Sequence, residues 1–90
     1  MRLNFKKQAI NRLHRLQGQL RGLEKMVEEN KYCPEILTQV AAVQKSLQSF
    51  NWVIMENHLR EHIVRAVRKG RIDPAVRELL ELYKLSNPVV

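Results

Sequence analysis

The 90-residue sequence contains little that would break or cross-link a helical chain, with one cysteine, three glycines and three prolines. Because glycine and proline are the strongest helix breakers, their scarcity favours long helices. A single cysteine cannot form a disulfide within the chain, so the reducing cytosol is the expected compartment. No apolar run approaches the ~18 residues of a membrane span, and the stretch from Met1 to Lys7 lacks the apolar core of a signal peptide. We therefore expect a cytoplasmic helical protein with no membrane partner.

Acidic residues are also scarce relative to basic ones. Nine Asp and Glu stand against sixteen Lys and Arg, which leaves a net charge of +7. This excess indicates a polyanionic partner, with nucleic acid ahead of an anionic membrane surface. The sequence has no helix-turn-helix signature, zinc-finger spacing or aromatic RNA-stacking motif. Binding to DNA would therefore use the surface of a helical assembly.

The hydrophobic pattern predicts two long helices first. Over residues 5–29, apolar residues alternate at spacings of three and four, as in a heptad seam. They are Leu13, Leu16, Leu20, Leu23 and Val27. After Pro34 there is no glycine or proline until Gly70, and the same alternation continues. This predicts one uninterrupted helix over residues 34–69, with Pro34 as its first residue and Gly70 as its stop.

A third, shorter helix is predicted over residues 74–85. Asp73 is placed as its N-cap and Pro74 as its first residue. Asn87 and Pro88 are expected to end it.

The unequal lengths of the first two helices predict association between copies. A helix of about 36 residues is roughly 54 Å long, which a helix of about 25 residues cannot cover. The uncovered apolar stripe requires a second protomer, and an antiparallel four-helix-bundle dimer is the expected solution. The predicted fold class is all-α, with three helices per chain in a single domain over residues 1–90.

Cys33, His58 and His62 form a candidate metal site. The histidines are four residues apart, so in a helix their rings project from one face and can bind one ion. Cys33 lies roughly 37 Å from His58 along a straight helix and cannot meet it within one chain. In an antiparallel dimer, Cys33 would face the partner's His58 and His62. A thiolate with two imidazoles suits Cu(I) or Zn(II), and admits Ni(II) or Co(II) if further ligands join.

Two other functions fit parts of this pattern. The cysteine and histidines can instead be packing residues of an architectural DNA-binding protein that has no metal response. A small metallohydrolase would use the histidine pair, but a helical bundle offers it no oxyanion-forming loop, and Glu61 is predicted to point away from the histidine face. We therefore predict a binding protein and not an enzyme.

Basic charge is concentrated in the predicted first helix. The first 25 residues carry seven basic residues and one acidic residue, Glu24. Arg12, Arg15 and Gln19 share one helical face, and together with Arg21 they are predicted to contact successive phosphates of double-stranded DNA.

The sequence resembles the copper-sensitive operon repressor family, which also includes nickel/cobalt- and formaldehyde-responsive repressors. The resemblance is carried by residues 12–22 (RLHRLQGQLRG), residues 32–33 (YC), residues 37–43 (LTQVAAV) and residues 58–62 (HLREH). It implies an all-helical dimer that pairs into a tetramer and represses efflux or detoxification genes by binding operator DNA. Ligand binding at the subunit interface is expected to loosen the DNA-bound form.

The resemblance also bears on the choice of metal. Copper sensors of the family use a Cys-His-Cys set, of which Cys33 and His58 match the first two members, and His62 makes this chain a Cys-His-His variant. Tyr32 and Glu78 match the outer tyrosine and glutamate that link the metal of the copper sensors to the third helix, which favours Cu(I). Nickel/cobalt members share the Cys-His-His pattern but typically add an amino-terminal histidine, which this chain lacks.

For DNA, the resemblance implicates Arg15 and its neighbours in the first helix. It also implies a basic residue of the second helix near Gln48. Lys45, about one turn earlier, is the candidate to supply that contact here.

Overall fold

The computed structural model describes residues 1–86, which form helices joined by short turns. Helix α1 spans Leu3–Glu28. The long helix α2 consists of an α-helical part, Cys33–His58, a π-helical turn, Leu59–Ile63, and a final α-helical part, Val64–Arg68. Helix α3 spans Ile72–Ser86. Within residues 1–86 there is no strand, so the predicted all-α class with three helices is confirmed.

The ends of α1 and α2 use the same backbone motif. Gly70 has a φ of 77°, its amide donates to the carbonyl of Val67 at 3.0 Å, and the amide of Arg71 donates to that of Ala66 at 2.9 Å. This pair of bonds is a Schellman motif, which needs a residue with positive φ directly after the helix. Asn30, with a φ of 55°, has the equivalent position after α1. The predicted stop at Gly70 is therefore confirmed.

Helix α3 begins earlier than predicted. The amide of Ala75 donates to the carbonyl of Arg71 at 3.2 Å, so helical hydrogen bonding starts before Asp73. Asp73 therefore lies in the first turn of α3 and is not its N-cap, and Pro74 occupies a first-turn position that needs no amide donor. Asn87 and Pro88, which were expected to end this helix, lie outside the described residues.

The prediction of an uninterrupted α-helix was wrong at the π-helical turn of α2. The amide of Val64 donates to the carbonyl of Leu59, five residues earlier. A π-helical turn adds a residue to the helix and is often found at functional sites. The added residue rotates everything after Ile63 relative to the first part of α2.

The three helices form a single layer. Cα positions extend over 57 × 32 × 12 Å, so the molecule is much thinner than it is long or wide. Phe5 and Ala9 of α1 pack against Val53 of α2 and form the main buried cluster, with Phe50 and Ile54 beside it. A single layer cannot cover its own two faces. None of the helices described is both long and apolar enough to cross a membrane.

The two faces of the layer can be assigned by helix geometry. A residue four positions after another lies about 40° further round an α-helix. Leu13, Leu20 and Leu47 each follow a buried residue by four positions, and all three are exposed. Because α1 and α2 run antiparallel, this rotation points to the same side of the layer in both helices. We call this side, which carries Leu13, Leu20 and Leu47, the apolar face.

The opposite side is the groove face. Arg12 and Ser49 each precede a buried residue, Leu16 or Val53, by four positions, and the Arg12 guanidinium donates to the Ser49 hydroxyl. Gln8, Arg12, Ser49 and Glu56 line the groove between α1 and α2 on this side.

Candidate metal centre and nucleic-acid interface

The structure brings the two predicted histidine ligands together. His58 is the last residue of the first part of α2, and His62 lies in the π-helical turn. Their ring centroids are 4.8 Å apart with an interplanar angle of 34°. His58 follows the half-buried Ile54 by four positions and therefore lies towards the apolar face. The pair is at the edge of the surface that a second subunit would cover.

Glu78 fixes one of these rings to the third helix. His58 Nε2 lies 2.8 Å from Glu78 Oε1. An ionised carboxylate only accepts hydrogen bonds, so the ring N–H donates. This leaves Nδ1 of His58 as the ring nitrogen available to a metal ion. The contact links α2 to α3, and the resemblance had implied that role for Glu78.

Glu61, which was predicted to point away from the histidine face, lies beside its neighbour His62 and also faces the start of α1. Glu61 Oε2 lies 3.9 Å from His62 Nε2 and 3.9 Å from the amino group of Met1, and Oε1 lies 3.8 Å from Arg2 Nε. Its side chain is only 17% exposed. Glu61 lies in the π-helical turn, which the prediction of regular α-helical spacing did not include. No signal in the hydrophobic pattern marks this turn.

Cys33 lies at the other end of the same helix. It is the first residue of α2, it follows the N-cap residue Tyr32, and both side chains are exposed. Over residues 1–86, no three or more Cys, His, Asp or Glu side chains of one chain group closely enough to hold a metal ion. A single chain thus presents two imidazoles at one end of α2 and a free thiol at the other.

The predicted DNA contacts divide into two groups. Arg15, Arg21 and Lys45 are exposed. Arg12 is half-buried and also lies 3.4 Å from the Ser49 carbonyl, and Gln19 is half-buried with its Oε1 atom in a buried position without a hydrogen-bond partner. Arg12 and Gln19 therefore lie where α1 meets α2.

The position of each exposed basic residue follows from these contacts. Arg15 comes three residues after Arg12, about 60° further from α2 on the same side. Lys45 precedes Ser49 by four positions and shares its side of α2. Arg21 comes nine residues, about two and a half turns, after Arg12 and points to the opposite side of α1. Of the predicted contacts, only Arg21 lies away from the groove face.

Comparison with known proteins gives consistent matches over most of the chain. A family model described as "Metal-sensitive transcriptional repressor" matches residues 5–85. The copper-sensing transcriptional repressor CsoR of Bacillus subtilis is 38% identical over 79 residues, which are 88% of this chain and 78% of that protein.

Two solved structures are similar in both sequence and fold. The nickel-responsive transcriptional regulator InrS has 40% identity and a TM-score of 0.80, over 90% of this chain and 91% of that one. The copper-sensing repressor CsoR with Cu(I) from Geobacillus thermodenitrificans has 34% identity and a TM-score of 0.83, over 94% of this chain and 88% of that one.

Proposed function

Because this chain belongs to the family of metal-sensitive transcriptional repressors, we propose that it binds operator DNA as a dimer or tetramer and leaves it when Cu(I) binds between two subunits. The resemblance to the copper-sensitive operon repressors is confirmed. So is the prediction that the protein is not an enzyme, since the family consists of transcriptional repressors. We place the protein in the reducing cytoplasm, where the Cys33 thiol would stay free.

The paired rings of His58 and His62 carry the proposed metal site. They are adjacent, and one of them is oriented by Glu78, as is usual for histidines that bind metals. Cys33 would complete the site from a second chain lying antiparallel, with its thiolate facing the partner's two imidazoles. The single-layer fold and the exposed leucines of the apolar face favour such a second chain.

The donor atoms fit a thiophilic metal ion. One thiolate and two imidazoles give three ligands, a number and type that Cu(I) accepts, and the bound ion would supply a positive charge that holds two subunits in one arrangement. Cu(I) is also favoured by the copper-sensing relatives. The similarity to a nickel-responsive regulator favours Ni(II) as the second candidate, with Co(II) and Zn(II) as further tests.

The hydrogen bond between His58 and Glu78 offers a route from the metal to the rest of the chain. A ligand on Nδ1 of His58 would change the charge and position of a ring whose other nitrogen is bonded to α3. Movement of α3 would then alter the assembly that presents Arg12, Arg15 and Gln19 to DNA, with Arg21 and Lys45 as outlying contacts. Tyr32 precedes Cys33 and is proposed to support the site from the second subunit. Coupling energies of about 1–3 kcal/mol are typical of such linked sites.

One titration tests the proposal. The operator is first selected from a random-sequence duplex library, and Cu(I), Ni(II), Co(II) and Zn(II) are then added anaerobically to the protein bound to that labelled duplex. We expect Cu(I) to release the DNA at the lowest free metal concentration. Cys33→Ala should bind the duplex as tightly as the wild type and should not be released.

Each other outcome has a definite meaning. If Ni(II) releases the DNA at a lower free concentration than Cu(I) does, the metal that the protein senses would be nickel and not copper. DNA binding that no metal changes would instead identify a constitutive architectural protein.

A further inference from the structure

Five basic side chains lie together at the end of α2, outside the basic region that the sequence predicts in α1. Arg2, Arg60, Arg65, Arg68 and Lys69 line an open cavity of about 550 Å³ where the start of α1 meets the end of α2. We call these five residues the basic end patch. Arg60, Arg65 and Arg68 belong to α2, and Lys69 directly follows it. None of the five is among the DNA contacts predicted from the sequence.

The positive charge of this patch is largely uncompensated. Glu61 is the acidic residue that lines the same cavity, and the amino group of Met1 and Arg2 already lie within 3.9 Å of it. Arg60 pairs with Glu56 at 3.3 Å. Within residues 1–86, Arg65, Arg68 and Lys69 make no ion pair, and all three are exposed. Repulsion among them would be relieved by a bound polyanion.

The basic end patch is continuous with the groove face. Arg2 and Arg60 also line the next depression along the groove, together with Gln8 and Glu56. Gln8 and Glu56 in turn line the depression that contains Arg12. The surface from Arg12 to the patch is thus one track, on the side of the layer opposite the apolar face.

The length of this track matches a segment of duplex DNA. Arg12 and Arg2 are separated by about ten residues of α1, roughly 15 Å, and the end of α2 from Arg60 to Lys69 adds roughly 13 Å. The sum, roughly 28 Å, spans about eight base pairs of B-DNA, somewhat less than one helical turn of ~34 Å. Arg65 and Arg68 are three residues apart and so present neighbouring guanidinium groups on one side of the helix.

We propose that the basic end patch is a second phosphate-binding surface for double-stranded DNA, extending the operator contact from Arg12 along the groove to the end of α2. The proposal rests on the proposed function, because the operator is the expected partner. The rival partner is the acidic turn of a second subunit, which contains Glu28 and Glu29. DNA is favoured because the patch continues the groove face, whereas a second subunit is expected on the apolar face.

The test removes two of the unpaired charges. Arg65→Gln/Arg68→Gln is compared with Arg77→Gln/Lys84→Gln, which removes the same charge from α3, a helix that does not line the groove. Affinity for the selected operator and for an unrelated duplex of equal length is measured by fluorescence anisotropy from about 50 to about 300 mM salt. Circular dichroism and sedimentation velocity check helicity and oligomeric state.

The expected result is specific to phosphate contact. For each contacting protomer, the slope of log affinity against log salt should become shallower by about 1.8, since each phosphate contributes about 0.9. At the lowest salt, affinity for both duplexes should fall together, by on the order of tenfold. The α3 variant should change neither quantity, and Cu(I) should release the remaining DNA as before.

The other outcomes are distinguishable. If the wild type binds no selected duplex, the proposed function fails. If the wild type binds and Arg65→Gln/Arg68→Gln leaves the salt slope unchanged, only the proposal for the patch is overturned. A shift of that variant towards monomers would assign the patch to the acidic turn of a second subunit and would also overturn the proposal.

Discussion

The apolar face and the groove face of the helical layer differ in composition although both are built from α1 and α2. Leu13, Leu20 and Leu47 on the apolar face are 36–53% exposed in the single chain. On the groove face, Arg12 donates to Ser49, and the lining includes polar and charged side chains. The layer is therefore apolar between α1 and α2 and carries exposed leucines on one outer face. Its other outer face mixes polar and charged side chains with Trp52, Met55 and Leu59. Such a layer can pair with a copy of itself on one face and leave the other free for a polyanion.

The two faces also separate the proposed metal site from the proposed DNA contacts. His58 lies towards the apolar face, whereas Arg12 and Arg15 lie on the other side of the layer. Communication between them would pass through the layer, by way of the assembly of subunits and the contact of Glu78 with His58.

Charge on the apolar face should abolish assembly. Leu20→Glu would place a carboxylate in an apolar interface, which costs several kcal/mol. We expect the dimer dissociation constant to rise at least about a hundredfold, roughly 3 kcal/mol, with the loss of both Cu(I) binding and DNA binding. Sedimentation velocity and circular dichroism would show helical monomers. His14→Glu, at an exposed position on the outer side of α1, is the matched control, and a dimeric Leu20→Glu protein would contradict the assignment of the apolar face.

Mixing two inactive variants should restore part of the metal binding. Cys33→Ala and His62→Ala each lack a ligand in every site, but a mixed dimer contains one intact site formed by the Cys33 of one chain and both histidines of the other. With random pairing, about a quarter of the wild-type Cu(I) sites should return. Competition against a Cu(I) chelator measures this fraction.

The control for mixing is Cys33→Ala combined with the double variant Cys33→Ala/His62→Ala, which offers no intact site in any pairing. If the first mixture also restores nothing, the site is not shared between subunits in the proposed way.

Removing the charge of Glu78 should weaken communication more than binding. Glu78→Gln would lose the charge-assisted bond to His58, and we expect Cu(I) affinity to fall about tenfold. The change in DNA affinity on adding Cu(I) should shrink from the 5–150-fold typical of such coupling towards no change. DNA affinity measured with and without Cu(I) gives this change. The control is Glu81→Gln, which removes an exposed carboxylate from the same helix. If Glu78→Gln kept the full change in DNA affinity on adding Cu(I), the coupling between metal and DNA would not pass through α3.

Two arginines of α1 should differ in their effect on DNA binding. Arg15 lies on the side of Arg12, and Arg21 on the opposite side of the helix. We expect Arg15→Gln to weaken operator binding by about three- to tenfold and Arg21→Gln by less than about twofold, because Arg15 lies on the DNA-facing side and Arg21 is only an outlying contact. Anisotropy at fixed salt gives both values. Equal losses would mean that DNA contacts both sides of α1 and that the groove face is not the DNA surface.

Much of the fold was predictable because it depends on local spacing. Heptad spacing predicted the two long helices, and positive φ after a helix accounts for the stop at Gly70. The pairing of His58 and His62 was predictable for the same reason, since four residues place two rings on one side of a helix.

The parts that sequence reasoning missed depend on contacts between helices or on a single inserted residue. The turn Leu59–Ile63 contains ordinary helix-forming residues, so its composition does not distinguish a π-helical turn from an α-helical one. Likewise, the burial of Arg12 against Ser49 depends on how α1 and α2 are rotated towards each other.

The helices, their approximate ends, the excess of positive charge and the candidate metal ligands could be read from the chain alone, because each depends on residue type and on spacing along one helix. Which side chains share a face of the layer depends instead on tertiary contacts. The tertiary structure brought Arg2 next to the end of α2 and joined His58 to Glu78, twenty residues away. Such contacts depend on the rotation and register of packed helices, which no single helix specifies.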